Sequence, residues 1–316
     1  MTIRVALFGS GWIQQIHAQA VTEHPGGELV AATNWREPSL RTLADRFHIP
    51  KATTSWYDIV HDEDVDAVVI GTPNALHAEQ AIACLHAGKH VLVEKPMAMS
   101  VAECDAMIAA ARNSERLLMV GHCWRFHPSV IDVRDAVRRG DLGQIVKTHG
   151  YGVHRDWGPS GWFTQRALAG GGALIDMGVH AIDTARFVLG DPEPARVCAT
   201  IGTRYKTDYE VDDEGILLIT WSNGVNSIVE SGWWHPHMGG QEADTEVFGT
   251  SGYTRIFSPH DPPAGEEHAP QSMYSAQMAE FLDAIAEGRE PRPSGEDGRV
   301  VMQVVEQAYR SAAEPG

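Results

Sequence analysis

Short apolar runs alternate with amphipathic helical patterns through the first part of the chain. The runs predict strands over 3–8, 28–33, 66–70, 90–94 and 117–120, and the patterns between them predict helices over 13–23, 39–47, 75–87 and 101–113. Strands that alternate with helices in this way are typical of parallel sheets with helices on both faces. The pattern therefore predicts an α/β fold whose first domain, residues 1–122, is a doubly wound parallel sheet.

The pattern changes near residue 123. A helix over 128–139 is followed by longer alternating stretches, which predict strands over 145–153, 195–204, 215–221, 225–230 and 246–249. Another helix is predicted over 172–189, and the closing helices over 273–287 and 300–311 follow a Pro-, Gly- and Glu-rich stretch at 258–270, which we expect to be a surface loop. Residues 123–316 are therefore predicted to form a second α/β domain with an open, mostly antiparallel sheet.

The composition narrows the classes of partner. A net charge of −17 over 316 residues argues against binding to nucleic acid or to an anionic membrane surface. The four cysteines are scattered without a C-x-x-C pair, so neither a metal site nor a disulfide framework is expected. Met1 leads almost directly into the first strand, and no long apolar run is present. We therefore expect a cytoplasmic protein without a signal peptide or a membrane span.

A glycine turn follows the first strand. Gly9-Ser10-Gly11-Trp12-Ile13-Gln14 is a G-x-G-x-x-G pattern in which Gln14 replaces the third glycine. The first glycine makes the tight turn, the second lets the backbone approach a pyrophosphate, and the helix N-terminus offers N–H groups to the phosphates. The pattern favours a dinucleotide site with contacts at Gly9, Gly11, Trp12 and Ile13. The alternative is an ordinary strand–turn–helix corner.

The end of the second strand bears on the identity of the nucleotide. An acidic residue there normally binds the ribose 2′-hydroxyl of NAD, but this chain has Asn34, with Arg36 close by. Asparagine does not repel a 2′-phosphate, and arginine binds phosphate in a bidentate manner. NADP(H) is therefore favoured and NAD(H) is the alternative, in which case Arg36 merely begins the next helix. Trp35 is placed to stack on the adenine.

Two further segments carry groups suited to proton transfer. The strand 90–94 ends in Glu94-Lys95-Pro96, at the sheet edge where ligands bind, and a buried lysine there can donate or accept a proton. Asp176 and His180 lie four residues apart on a predicted helix, after three glycines that allow close approach to a ligand. A carboxylate beside an imidazole suits proton transfer. The alternatives are a core histidine or two metal ligands without a third.

Other candidates have weaker signals. Arg125 either contacts substrate or pairs with Glu94. A pocket wall is expected at the end of strand 145–153, formed by Tyr151, His154, Arg155, Trp162 and Phe163. The cluster Trp233-Trp234-His235-Pro236-His237 is either a sugar-stacking wall or an oligomer contact.

Segments along nearly the whole chain resemble the glucose–fructose oxidoreductase / inositol dehydrogenase / rhizopine-catabolism (Gfo/Idh/MocA) family. They are FGSGWIQQIHAQA, TPNALHAEQA, VLVEKPMAMS, HCWRFHP, GGGALIDMGVHAIDTARFVLG, VFGTSGYTRI and SGEDGRVVMQVVEQAYRSA. The resemblance implies a Rossmann domain, a second α/β domain whose open sheet often forms the oligomer interface, a nicotinamide cofactor, and a sugar, cyclitol or related polyol substrate. Gln14 and Asn34 depart from the family pattern.

The resemblance also assigns roles to residues. Lys95 matches the family's catalytic lysine, Asp176 its carboxylate and His180 its histidine, and the Lys95-Pro96 bond is expected to be cis. Besides the glycine turn and residues 34–36, the implied cofactor contacts are Thr72, Pro73, Asn74, His77, Glu94 and Lys95. The implied substrate contacts are Lys95, Arg125, His154, Trp162, Asp176 and His180.

The expected activity is hydride transfer between the cofactor and a hydroxyl or keto carbon of the substrate. We favour His180 as the immediate acid/base and Lys95 as a polarising cation. Two alternatives remain: an enzyme of the same fold that holds its cofactor tightly and performs hydrolysis or elimination through a transient oxidation, and a non-catalytic NADP(H) sensor. A homo-oligomer, dimer or tetramer, is expected because an exposed apolar sheet face seeks a partner.

Overall fold

The computed structural model describes residues 2–235, 241–257 and 271–314. Contacts between residues divide the chain into two compact units. The first unit consists of Met1–Ala98, Ala102–Cys123 and Pro270–Gly298, and the second of Met99–Val101, Trp124–Ala269 and Arg299–Gly316. The predicted surface loop at 258–270, together with Pro236 and His237, lies outside the described residues.

The first unit is built on a parallel sheet with the strand order β3-β2-β1-β4-β5-β6. The strands are β1 (Ile3–Phe8), β2 (Gly27–Thr33), β3 (Lys51–Thr53), β4 (Ala67–Ile70), β5 (His90–Glu94) and β6 (Leu118–Gly121). This confirms the predicted doubly wound sheet. The apolar pattern gave no signal for β3, because it is a short edge strand whose residues are exposed or half-buried.

Helices connect these strands and cover the sheet. They are α1 (Trp12–Glu23), α2 (Glu37–Phe47), α3 (Tyr57–Val60), α4 (His77–His86) and α5 (Val101–Ser114). A sixth helix, α9 (Gln271–Glu287), packs against α1: Gln271 Nε2 donates to the carbonyl oxygen of Ile16, and the rings of Tyr274 and His17 meet edge to face. The observed division therefore departs from consecutive domains 1–122 and 123–316. The apolar face of a helix does not show which sheet it covers.

The second unit contains a mixed sheet with the order β12-β11-β7-β10-β9-β8. Its strands are β7 (Ile145–Val153), β8 (Pro194–Gly202), β9 (Glu214–Trp221), β10 (Asn226–Gly232), β11 (Ala243–Gly249) and β12 (Tyr253–Arg255). Only β7 and β10 pair in parallel, so the mostly antiparallel prediction is confirmed. On β9, Leu217 and Ile219 are buried, whereas Ile216 and Leu218 lie exposed on the other face.

The helices of this unit are α6 (Pro128–Arg139), α7 (Arg166–Ala169), α8 (Val179–Val188) and α10 (Gly295–Ala313), whose first turn belongs to the first unit. The predicted regular helix over 172–189 is wrong in its first part, because Leu174–Gly178 form a π-helical turn that leads into α8. Apolar periodicity does not distinguish a π turn from an α turn over so few residues. Among the described residues, no helix is long and apolar enough to cross a bilayer.

Candidate functional site

The glycine turn has the geometry that a dinucleotide phosphate requires. Gly9 has φ +109°, and a Cβ atom there would lie 2.7 Å from the carbonyl oxygen of Gly71. A Cβ atom at Gly11 would meet nothing within 4 Å, so the space beside it is open. Helix α1 begins at Trp12 without a side-chain cap on its N-terminal N–H groups. The turn therefore fits a pyrophosphate at the N-terminus of α1.

Gln14 replaces the third glycine without loosening the packing of α1. Its side chain is fully buried, and Nε2 donates to the carbonyl oxygens of Phe8 at 2.8 Å and Val69 at 3.0 Å. These carbonyls belong to the neighbouring strands β1 and β4. Gly71 leaves the necessary room, because a Cβ atom there would lie 2.7 Å from Gln14 Nε2. The amide thus bonds α1 to the sheet where a glycine would pack closely.

Hydroxyl and amide groups gather at the end of β2. Asn34 Nδ2 donates to Ser10 Oγ at 2.6 Å and to Ser39 Oγ at 3.0 Å, and Ser10 Oγ donates to Ser39 Oγ at 2.8 Å. The Arg36 guanidinium lies 4.5 Å from the ring centroid of Trp35, and both side chains are exposed. The predicted trio Asn34, Trp35 and Arg36 is thus joined by two serines that sequence reasoning did not select.

His77 supports the sheet edge through the contacts of its ring with two carbonyl oxygens. The ring is buried, with Nδ1 2.9 Å from the carbonyl oxygen of Pro96 and Nε2 2.9 Å from that of Thr72. Burial lowers the pKa of His77, and a neutral ring donates to only one of these two carbonyls. The Thr72 hydroxyl in turn donates to Gln80 Oε1 at 2.7 Å. His77 therefore joins the segments after β4 and β5. Its role as a cofactor contact stays a prediction.

Glu94 is buried at the end of β5 and its carboxylate lies 2.7 Å from His17 Nε2, on helix α1. Gly121 on β6 makes room for it, since a Cβ atom there would lie 2.9 Å from Glu94 Oε1. Within the first unit, Glu94 thus pairs with His17. The Lys95-Pro96 bond is cis, as predicted. Pro73 and Asn74 follow β4, and Asn74 is buried.

Asp176 is the centre of a buried polar cluster in the second unit. Its Oδ2 atom accepts a hydrogen bond from Trp233 Nε1 at 3.0 Å and lies 3.4 Å from His154 Nε2. His154 and Trp233 follow β7 and β10, whereas Asp176 lies in the π-helical turn. His180, four residues later in α8, is also buried, and its ring meets that of Trp124 edge to face. Asp176 and His154, both predicted site residues, therefore lie together.

The three glycines before Asp176 face protein atoms, which corrects the expectation that they admit a ligand. A Cβ atom at Gly172 would lie 1.7 Å from the carbonyl oxygen of Asp212, and one at Gly171 would lie 2.1 Å from the Tyr309 hydroxyl. The Asp212 carboxylate accepts the N–H groups of Gly172 and Leu174, both at 2.9 Å. The glycines therefore let Asp212 cap the segment that carries Asp176.

Arg125 is committed to a buried ion pair. Its guanidinium binds Asp183 through three contacts of 2.6–3.0 Å and lies 3.1 Å from Asp191 Oδ1. Arg125 and Asp183 are both almost fully buried. The guanidinium also lies over the ring of Phe187, at 4.9 Å. These contacts match the charge of Arg125 within the core, and its role as a substrate contact stays a prediction.

The aromatic candidates differ in their burial and in the side chains that they contact. Trp233 is fully buried and bonded to Asp176, so it is neither a stacking wall nor an oligomer contact. Trp234 Nε1 donates to the Tyr209 hydroxyl at 3.2 Å. Trp162 stacks on Phe163 with ring centroids 3.8 Å apart, and both rings are half-buried.

Two residues of the Asp176 cluster carried no sequence signal. Glu242 Oε2 lies 3.1 Å from His154 Nδ1, and Trp157 Nε1 donates to Glu242 Oε1 at 3.1 Å. Glu242 is 88 positions from His154 in the chain, so no local pattern connects them. Ser10 and Ser39 are different, since both lie within a few residues of the predicted cofactor positions.

Comparison with known proteins agrees with this geometry. The family model described as "Oxidoreductase family, NAD-binding Rossmann fold" matches residues 3–122, and that of the GFO/IDH/MocA C-terminal domain matches residues 130–255. The chain belongs to the Gfo/Idh/MocA family of oxidoreductases. The first match ends, and the second begins, near the change between the units at Cys123 and Trp124.

Individual members of the Gfo/Idh/MocA family align over almost the whole chain. The 1,5-anhydro-D-fructose reductase of Ensifer adhaerens is 32% identical, over 93% of this chain and 92% of that enzyme. The myo-inositol 2-dehydrogenase of Thermotoga maritima is 26% identical, over 99% and 97% of the two chains. Among solved structures, GenD2 from gentamicin A biosynthesis, in complex with NAD, is 29% identical with a TM-score of 0.89, covering 99% of this chain and 95% of GenD2.

Proposed function

We propose that this protein is a nicotinamide-dependent dehydrogenase that transfers a hydride between the cofactor and a CH–OH carbon of a sugar, cyclitol or related polyol. The observation that carries the proposal is the buried Asp176 carboxylate, bonded to Trp233 and His154 four residues before His180. A protein that only senses a nucleotide needs no such acid–base cluster. Relatives named 1,5-anhydro-D-fructose reductase and myo-inositol 2-dehydrogenase support the substrate class.

The proposed chemistry uses three groups of this chain. Lys95 is the cation that polarises the substrate oxygen, and His180 removes the hydroxyl proton or returns it in the reverse direction. Asp176 orients the His180 ring and stabilises its charged form. The bound nicotinamide ring accepts or supplies the hydride. His154 and Trp162 are proposed as further substrate contacts.

The cofactor is held by the glycine turn and the residues that follow β2. We propose a preference for NADP(H) because Ser10, Asn34, Arg36 and Ser39 offer donors and a positive charge, with no carboxylate at position 34. A 2′-phosphate accepts such donors, and charge-assisted bonds to arginine are the strong ones. Trp35 stacks on the adenine. Pro73, Asn74 and the backbone beside Lys95 complete the proposed contacts.

Titration with NADPH and with NADH tests the cofactor proposal. Trp12 and Trp35 are 64% and 70% exposed beside the proposed cofactor contacts, so quenching of their fluorescence reports binding. We expect NADPH to bind more tightly than NADH. In Arg36→Gln, loss of the charge-assisted bonds weakens NADPH binding about 10- to 100-fold, at about 1.5–3 kcal/mol, without changing NADH binding.

Arg41→Gln is the matched control. Arg41 is an exposed arginine of α2, the helix that follows Arg36, and it pairs with Glu37. The variant removes the same charge without touching the proposed phosphate site and should leave the affinity for NADPH within about twofold. Equal weakening in the two variants, or tighter binding of NADH by the unmodified protein, contradicts the NADP(H) preference.

The open face of the second sheet supports a homo-oligomer. Ile216 and Leu218 of β9 present exposed apolar side chains there. Apolar faces of this kind are characteristic of protein–protein contacts. We propose that a second copy covers this face, in a dimer or a tetramer. Sedimentation velocity should show one of these species, and a monomer at micromolar concentration contradicts the proposal.

A further inference from the structure

His154 lies between two carboxylates. Its Nδ1 atom is 3.1 Å from Glu242 Oε2, and its Nε2 atom is 3.4 Å from Asp176 Oδ2. All three residues are buried, with relative exposures of 8% each. The carboxylates come from separate elements, because Asp176 belongs to the π-helical turn and Glu242 to the segment that precedes β11. Each ring nitrogen of His154 therefore has its own acidic neighbour.

The protonation state of the ring follows from this arrangement. A neutral imidazole carries one N–H and donates to one carboxylate only, whereas an imidazolium donates to both. Burial lowers the pKa of His154, but the hydrogen bonds and charges of Asp176 and Glu242 outweigh it, so the pKa is raised. The charged ring leaves Asp176 Oδ2 with two donors, His154 and Trp233.

Glu242 is itself fixed in place. Its Oε1 atom accepts hydrogen bonds from Trp157 Nε1 at 3.1 Å and from the backbone N–H of Arg155 at 3.2 Å. The Trp157 ring also stacks on the His154 ring, with centroids 3.6 Å apart and planes 26° apart. The two oxygens of the Glu242 carboxylate thus have different partners. Oε1 accepts hydrogen bonds from the loop after β7, and Oε2 faces His154.

We propose that Glu242 is a positioning residue that keeps His154 an imidazolium beside Asp176. Resting on the proposed dehydrogenase function, this means that Glu242 acts on the reaction through two other groups without touching the substrate. While His154 is charged, Asp176 remains a carboxylate that is available to His180. When His154 loses its proton, a single N–H is left for the two carboxylates, and activity falls on the alkaline side of the pH profile.

The first test is an NMR titration of the His154 ring in the protein alone, compared with Glu242→Gln. An opposite charge at this distance raises the pKa of a histidine by one unit or more, so the amide should lower it by at least about one unit, a tenfold shift in the protonation equilibrium. Glu242→Asp keeps the charge and should retain most of the raised pKa. Glu230→Gln is the matched control, because Glu230 pairs with the half-exposed His149 at 2.9 Å.

The second test is the pH profile of kcat/KM. In Glu242→Gln the alkaline limb should move to lower pH by about as much as the His154 pKa falls, and Glu230→Gln should leave the profile unchanged. An unchanged His154 pKa overturns the proposal, as does a lowered pKa with an unmoved alkaline limb. The NMR result needs no substrate, so failure of the dehydrogenase assignment is seen separately, as absent turnover in the unmodified protein.

Discussion

Arg125 is a charged residue that is buried in the core. Its position after β6 suggested a ligand contact, but the guanidinium binds Asp183 in a bidentate manner inside the second unit. Removing one partner of a buried ion pair leaves the other charge buried without a compensating charge. Replacing both partners by apolar residues removes that penalty.

We therefore predict that Arg125→Met lowers the free energy of unfolding by about 3–5 kcal/mol and that Arg125→Met/Asp183→Leu recovers much of the loss. Urea denaturation of the second unit measures both changes. Arg139→Met is the control, because Arg139 forms an exposed pair with Asp141 and should cost at most about 1 kcal/mol. If Arg125→Met is as stable as the unmodified protein and has a raised KM, Arg125 contacts the substrate.

At this scale the residue types of the site could be predicted, but their partners could not. Asp176 and His180 were identified because their spacing brings a carboxylate and an imidazole together. Glu242 was missed because it lies 88 positions from His154 in the chain, and the two residues meet only through the pairing of β7 with β11. Trp233 was selected as an aromatic signal, and only the structure shows its N–H bonded to Asp176.

At the scale of elements, the side-chain amide of Gln14 attaches α1 to two strands of the sheet. Gln14 bonds β1 and β4 through the carbonyl oxygens of Phe8 and Val69. The sequence showed that a glycine was replaced, but not that Gly71 had opened the space for a longer side chain. The departure from the family pattern is therefore compensated by packing.

Gln14→Ala should lower the free energy of unfolding of the first unit by about 1–3 kcal/mol, because two buried carbonyl oxygens each lose one hydrogen bond. Urea denaturation measures the loss, and the NADPH affinity should weaken in parallel if α1 shifts. Gln19→Ala is the control, since Gln19 lies in α1 and its Nε2 atom donates to the exposed Glu23 at 2.9 Å. Equal stability of the two variants contradicts the role of Gln14.

The π-helical turn at Leu174–Gly178 is a second feature of element scale that the pattern did not predict. Its apolar residues match α-helical spacing, so the sequence indicated a regular helix over 172–189. The Asp212 carboxylate binds the N–H groups of Gly172 and Leu174, and only glycine fits against its backbone. These are contacts between distant segments, which local propensity does not record.

At the scale of the whole molecule, the alternation of strands and helices was enough to predict two sheets of different type. It was not enough to predict which unit receives α9, because the apolar stripe of a helix is complementary to either sheet. The strand β3 also escaped prediction, since an edge strand of three residues has little apolar surface. An element near the C-terminal end of the chain therefore belongs to the first unit, although it follows the strands of the second.

The dependence of stability on pH also belongs to the whole molecule. His90 Nδ1 accepts the N–H of Leu117 at 3.1 Å, which requires an unprotonated nitrogen. Burial, with a smaller contribution from the positive charge of Arg116, lowers the pKa of His90 from 6.5 to about 4. Between these values the unfolded chain binds more protons than the folded one, so stability falls as the pH falls. Burial lowers the pKa of His77 as well, with the same sign.

We predict that the free energy of unfolding decreases between pH 6.5 and about 4 and that part of this decrease disappears in His90→Asn. Denaturant titrations at several pH values measure the slope for each protein. His86→Asn is the control, because His86 is exposed in the last turn of α4. A slope in His90→Asn equal to that of the unmodified protein contradicts the account.

The most direct test of the dehydrogenase assignment is the formation of NADPH, followed by its absorbance, when the protein and NADP⁺ meet a panel of anhydro-sugars, glucosides and cyclitols. We predict NADPH formation with at least one of them, and a decrease of about 10²- to 10⁴-fold in Lys95→Met at nearly unchanged cofactor affinity. Tight nucleotide binding without NADPH formation from any of these compounds, or Lys95→Met with turnover equal to that of the unmodified protein, would contradict the account.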